Sequence, residues 1–295
     1  MTASVVTADE ATREALKDKA LEMRKRLLRL AHEAGSLHIG GDLSMTDIMT
    51  VIFEHLLQVD PQRPDWPDRD RFVLSKGHGA GALYISMANR GFFDVEEIYS
   101  TYGVFQTRFG MHPCRNHLPG VETSTGSLGH GLSIAVGLAL AARLDGRSNR
   151  VVTVVGDGEL NEGTIWEGVM AAAHYRLGNL VAFIDRNGMS MDGRLDEIMQ
   201  VDPIDLKFAA FGWQVIDTDG NDIDALVDSV ESLPPNTSEA PTVVVCHTTK
   251  GKGVSFMENE PAWHAGSIDR ETLGACLAEV EAERQRERKE SACRT

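Results

Sequence analysis

Two apolar runs end in polar residues suited to holding an anion through a cation. The first, Val151 to Val155, runs into Gly156-Asp157-Gly158; the second, Leu180 to Asp185, closes on Asp185-Arg186-Asn187-Gly188. Asp157, the Asn187 side chain and a backbone carbonyl just past Asn187 are hard oxygen donors, which suit an octahedral Mg²⁺ or a looser Ca²⁺. Phosphate oxygens and water would fill the remaining positions. The glycines on either side of Asp157 let a diphosphate approach the backbone near the start of the following helix. A bare Gly-Asp-Gly also fits an ordinary turn, with Asn187 capping a loop. The strand before it, the helix after it and the asparagine closing the next strand give it weight. His112, Cys114 and His117 form an H-x-C-x2-H cluster that hints at zinc, but Pro113 and Pro119 flank it and no fourth ligand is apparent. The Ser75–Ala82 stretch, SKGHGAGA, fits the loose dinucleotide pattern, yet the segment after it, GFFDVEEIYSTYG, reads helical where a second strand is required.

The elements that must position these residues follow from periodicity. Leu16, Ala20, Met23, Leu27 and Leu30 recur at helical spacing within Glu10 to Ala34, and a second helix is expected from Leu43 to Leu57. Five short apolar runs read as strands: Arg71–Ser75, Val151–Val155, Leu180–Asp185, Trp213–Asp217 and Thr242–His247. Helical segments lie between them at Leu128–Arg143, Thr164–Tyr175 and Ile223–Leu233. Strands alternating with helices, and apolar along their whole length, predict an α/β fold with a parallel sheet covered on both faces. In such a sheet ligands sit beyond the carboxyl ends of the strands, so Asp157 and Asn187 should project from one edge. One domain over residues 1–295 is expected, with a helical N-terminal portion at about 10–60 and a charged helix fraying into a tail at about 270–295. Its charge run reads as a solvated face.

Composition bounds the function classes. The hydrophobic fraction, 42%, supports a sizeable core, and 29 Lys and Arg against 44 Asp and Glu give a formal charge of -15. Such a surface disfavours nucleic acid and anionic membrane. No run reaches the roughly 18–20 apolar residues of a membrane span, and the first residues carry no signal-peptide core, so a cytoplasmic location is expected. Cys114, Cys246, Cys276 and Cys293 are irregularly spaced and read as reduced thiols.

The Gly-Asp-Gly motif followed about thirty residues later by Asn187 resembles the thiamine diphosphate signature. The surrounding stretches GSLHIGGDLS, DRFVLSKGHGAGALY, LPGVETSTGSLGHGLSIAVGLAL and TTKGKGVSFMENEPAWHAG resemble the first third to half of transketolases, over residues 15 to 275 or so. That resemblance implies a thiamine diphosphate-binding fold and a metal, Mg²⁺ by preference with Ca²⁺ or Mn²⁺ as substitutes, held by Asp157, Asn187 and the Met189 carbonyl. It assigns cofactor contacts to His78, Gly126, Ser127, Leu128, Gly156, Asp157, Gly158, Glu159, Asn187 and His264. It gives catalytic roles to His38, His112, Glu162 and His264, with Glu162 and Glu167 at an interface between cofactor sites. Histidines such as His38 and His112 can move protons near neutral pH.

Transketolases carry two further domains, one of which supplies the glutamate that activates the aminopyrimidine. The resemblance therefore implies a partner chain with these domains, an α2β2 heterotetramer, and transfer of a two-carbon ketol group from a ketose or ketose phosphate to an aldehyde. The sequence departs from common full-length members at Leu37 and Ile39 beside His38, at His130 and at Cys114. These positions leave the donor and acceptor sugars open. Rival expectations are the α chain of a 2-oxo acid dehydrogenase and a non-catalytic scaffold chain. A single-chain deoxyxylulose phosphate synthase is excluded by length.

Overall fold

The computed structural model of the protein describes residues 7–294. Residues 1–6 and 295 and the side chains of residues 291–294, Cys293 among them, lie outside the described residues; Cys114, Cys246 and Cys276 are free thiols. In chain order the elements are α1 (Glu10–Glu33), α2 (Ile39–Ser44), α3 (Thr46–Val51), β1 (Arg71–Leu74), α4 (Ala80–Asn89) and α5 (Val95–Thr101). There follow α6 (His130–Leu144), β2 (Val151–Gly156), α7 (Gly163–His174), β3 (Leu180–Arg186), α8 (Leu195–Ile198) and α9 (Ile204–Ala210). The last are β4 (Gln214–Asp219), α10 (Ile223–Glu231), β5 (Thr242–His247) and α11 (Arg270–Arg294).

All five expected strands form and pair in parallel, in the order β1-β2-β3-β5-β4. Successive residues of a strand point to opposite faces, and the core divides accordingly. Phe72, Val152, Val154, Val181, Phe183 and Val244 pack with α1–α4, α10 and α11, whereas Val151, Val155, Ala182, Ile184, Val243 and Val245 pack with α6, α7 and α9. Helices therefore cover both faces, which is why β2, β3 and β5 are buried along nearly their whole length. The central strands end level, with Gly156 beside Asp185 and Asp185 beside Cys246. That register sets the residues after β2 and β3 side by side at one edge.

The structure corrects two expectations. The second helix begins earlier, at Ile39, and breaks at Met45, after which α3 runs into one π-helical turn over Ile52–Leu56. Thr46 and Thr50 hydroxyls donate to the carbonyls four residues back, Asp42 and Thr46, a bonding pattern that bends helices. The C-terminal charge run is not merely solvated. It completes α11, which docks on α1 with Cys276 and Val280 buried and Arg284 almost fully enclosed. The Arg284 guanidinium donates to Glu14 Oε2 at 2.7 Å and Asp18 Oδ1 at 2.9 Å, and Lys25 meets Glu281 at 2.6 Å. Charged side chains thus line the docking seam, while Gln285, Arg286 and Lys289 stay exposed on the outer face.

Arg284→Ala is expected to cost about 1–2 kcal/mol in urea unfolding, a figure kept low because Glu14 and Asp18 stay partly solvated. A loss under about 0.5 kcal/mol would return the run to the class of solvated charge.

Candidate functional site

Asp157 and Asn187 stand just past the ends of the neighbouring strands β2 and β3. Asp157 is buried; its Oδ1 accepts the Gly158 N–H at 2.8 Å and its Oδ2 the Gly188 N–H at 2.6 Å. Gly188 adopts φ +72, the left-handed conformation that lets the chain turn there. Burial, followed by the charge of Asp185, pushes the Asp157 carboxyl up to about 7, against the pull of the two N–H donors and Lys76. A cation would relieve that cost. The Asn187 Nδ2 donates to Asp185 at 3.2 Å, which leaves Oδ1 as the face that accepts the Met189 N–H at 3.1 Å. The Met189 carbonyl accepts no hydrogen bond among the described residues. Carboxylate, amide oxygen and free carbonyl together fit a hard divalent cation. A cleft of about 330 Å³ opens against Asp157, Asn187 and Thr248.

Beneath this edge lies a network that sequence reasoning missed. Asp185 is fully buried, and its Oδ2 accepts from Lys76 Nζ at 2.5 Å, Ser44 Oγ at 2.6 Å and Asn187 Nδ2, while Oδ1 accepts from Thr248 Oγ1. Burial alone would raise this carboxyl, but the Lys76 ammonium and the hydroxyl donors hold it below its ordinary value. The available signals were an acid closing an apolar strand and a lysine in a glycine-rich turn.

Four loops bring four histidines together. His38 precedes α2, His78 lies in the short turn Gly77–Gly79, His112 sits in the long segment before α6, and His264 follows the turn Pro261–Trp263. The His38, His78 and His264 ring centroids are 5.5–5.6 Å apart, and His112 lies 6.0 Å from His38. Leu37 and Gly266 exchange backbone hydrogen bonds at 2.9 Å, which fixes His38 against His264. Burial, reinforced by Lys76 and the other histidines, takes His78 down to about 2; burial and Lys250 take His264 down to about 4. Burial also lowers His38, whose Nδ1 is enclosed without a partner among the described residues. These three rings are therefore neutral at pH 7, each offering one donor and one acceptor. Lys250, also missed, places its Nζ 3.0 Å from His264 Nδ1 and 2.7 Å from the Ser190 carbonyl. Burial, then Lys76, lowers it to about 8.

The Gly126-Ser127-Leu128 stretch borders the cluster, since a Cβ on Gly126 would fall 2.9 Å from the His112 ring. Gly156 and Gly158 flank Asp157 without crowding: added Cβ atoms there would meet nothing closer than 3.7 Å. Glu159 turns inward. Its Oε1 accepts from Ser75 Oγ at 2.5 Å and the Gly129 N–H at 2.8 Å, and its Oε2 accepts the Gly156 N–H at 3.1 Å. Glu162 and Glu167 are exposed, at the start of α7.

Replacing Asp185 by Asn should strand the buried Lys76 charge and cost about 3–5 kcal/mol in urea unfolding. The double change Lys76→Met with Asp185→Asn should recover part of it, and an equal loss in both would remove the ion pair as the cause. Stability should also depend on pH through His78. Without cofactor, the unfolded residue takes up a proton below its ordinary 6.5 whereas the folded ring resists down to about 2. The unfolded state then binds more protons, so wild type loses stability on this residue's account as pH falls through 6.5. Wild type should lose ground to His78→Gln steadily between pH 7 and pH 5 in urea unfolding; a constant difference would show that folded His78 protonates freely.

Known proteins resemble this chain along most of its length. A family model described as the transketolase thiamine diphosphate binding domain matches residues 18–286. An apulose-4-phosphate transketolase subunit from Phocaeicola vulgatus is 39% identical over 267 residues, which is 90% of this chain and 94% of that protein. A 6-deoxy-6-sulfo-D-fructose transketolase subunit from a Clostridium species is 40% identical, over 91% of this chain and 97% of its own length. Among solved structures, the Leishmania mexicana transketolase superposes with a TM-score of 0.81 at 28% identity, covering 92% of this chain but 41% of that one. The Campylobacter jejuni transketolase gives 0.81 at 26% identity, over 92% and 43%. The chain thus spans about two fifths of those solved transketolases.

Proposed function

This chain belongs to the transketolase thiamine diphosphate-binding family, and from that membership we propose that it is the cofactor-holding component of a two-chain transketolase. The observation that carries the reading is that Lys250, bonded to the Ser190 carbonyl just past the Asp157–Asn187 edge and 3.0 Å from His264, joins that edge to the four-histidine cluster. Relatives that are themselves named as subunits match it over nearly their whole length, which supports a separate partner chain. The partner would carry the remaining domains and close the site against water. A two-fold α2β2 assembly, with Glu162 and Glu167 facing the junction between sites, is the arrangement we favour. We read residues 1–295 as one domain and the chain as cytoplasmic; among the described residues no helix is long and apolar enough to cross a membrane.

Thiamine diphosphate, when bound, supplies the carbon nucleophile that takes a two-carbon ketol group from a ketose and delivers it to an aldehyde. Asp157, Asn187 and the Met189 carbonyl would hold Mg²⁺ against its diphosphate. Neutral His78 and His264 offer N–H donors to phosphate oxygens, and Lys250 adds a positive charge beside His264. The Gly126–Leu128 stretch would lie against the aminopyrimidine ring. His38 and His112 would face the sugar and accept or return protons from its hydroxyls. Neither a 2-oxo acid dehydrogenase α chain nor a scaffold role draws support from these relatives.

Native mass spectrometry of the tagged chain from its own host should find a second chain in equal amount and thiamine diphosphate released on denaturation. A lone chain without cofactor would overturn the proposal, and so would full ketol transfer by this chain free of any partner. Asp157→Ala should weaken metal-dependent cofactor binding on the order of 100-fold in calorimetric titration of the complex. Unchanged binding would remove Asp157 from the metal site.

A further inference from the structure

Glu159 spends its whole carboxylate on three separate pieces of chain. Ser75 directly follows β1, Gly156 ends β2, and Gly129 precedes α6. The carboxylate is buried, and it is the acceptor for the Gly129 N–H. Gly129 adopts φ +84, and a Cβ there would strike Thr164 Oγ1 at 2.5 Å and Glu162 Cβ at 2.6 Å. Nearby, a Cβ on Gly131 would strike Ser75 Cα at 2.5 Å. The first turn of α6 is thus pressed onto the end of β1 and the start of α7, with one carboxylate tying the pieces from inside.

We propose that Glu159 is a positioning residue that touches no cofactor atom but fixes the Gly126–Gly129 loop relative to the Gly156–Gly158 turn. This rests on the cofactor reading above: one segment would face the aminopyrimidine and the other the diphosphate. Their separation has to match the length of the bound molecule. A rigid carboxylate bridging both segments sets that separation before the cofactor arrives. Met at this position keeps the length but replaces both carboxylate oxygens with one weakly accepting sulfur, which leaves the Gly129 N–H without its strong partner. Gln keeps one oxygen and turns an amide donor toward the other donors.

The test uses the wild-type chain with its partner, Glu159→Met and Glu159→Gln. Amide hydrogen exchange without cofactor should accelerate on the order of tenfold over residues 126–131 in Glu159→Met, less in Glu159→Gln, and little in the strands. The thiamine diphosphate concentration for half-saturation should rise on the order of tenfold, with kcat at saturating cofactor falling far less. Unchanged loop exchange with unchanged half-saturation in both variants would overturn the proposal. A collapse of kcat at unchanged half-saturation would also overturn it, because that pattern belongs to a residue acting on the reacting atoms. If Glu159→Met does not fold, Glu159→Gln decides by the same readouts. Failure of the wild-type complex to bind thiamine diphosphate would defeat the functional reading, while loop exchange would still decide whether Glu159 is the clamp.

Discussion

The buried pair of Lys76 and Asp185 is the constraint on which the site depends. A carboxylate at the end of a central strand and an ammonium from the turn after β1 share one dry location, joined at 2.5 Å. Neither charge is tolerable there alone. The remaining lone pairs of Asp185 are taken by Ser44, Thr248 and Asn187, so four segments are referenced to a single group. The pair orients the Asn187 amide, and the Lys76 charge adds to the burial that keeps the nearby histidine rings neutral.

Above that pair, the sheet register does the rest of the placement. Because Gly156, Asp185 and Cys246 stand abreast, the chain leaves three neighbouring strands at the same height. Polar loops collect at that edge while the apolar residues beneath them are shared between two helical layers. The net charge of -15 says little about this edge, whose local character comes from Lys76, Lys250 and the neutral imidazoles.

Much of the fold is legible in the sequence because the strands are short, valine-rich and buried on both faces. The expected strand Thr242–His247 matches to the residue, and α1 and α7 match to within a residue at either end. The helix break at Met45 is not legible, since no proline or glycine stands there and the Thr46 hydroxyl bonding back across it to the Asp42 carbonyl shows only in the folded chain. The Arg284 seam is hidden for a related reason: a charge run carries no mark of which side meets a neighbouring helix. In the site, Asp157 and Asn187 stand out by their strand-end setting, and the histidines stand out by resemblance. Lys76, Asp185 and Lys250 lie inside recognised stretches, but their partners are distant in sequence and only the folded chain joins them. Glu159 shows the converse. Its place in the motif points toward the cofactor, whereas its side chain points to Ser75, Gly129 and Gly156.

The backbone pairing of Leu37 with Gly266 joins points separated by most of the chain. Closing so long a loop costs entropy, although that cost grows only slowly with length. His264 is the last of the four clustered histidines along the chain, so this pairing sets the position of the final member. A chain truncated before this point would lack that histidine and also α11, and with it part of the cover over α1.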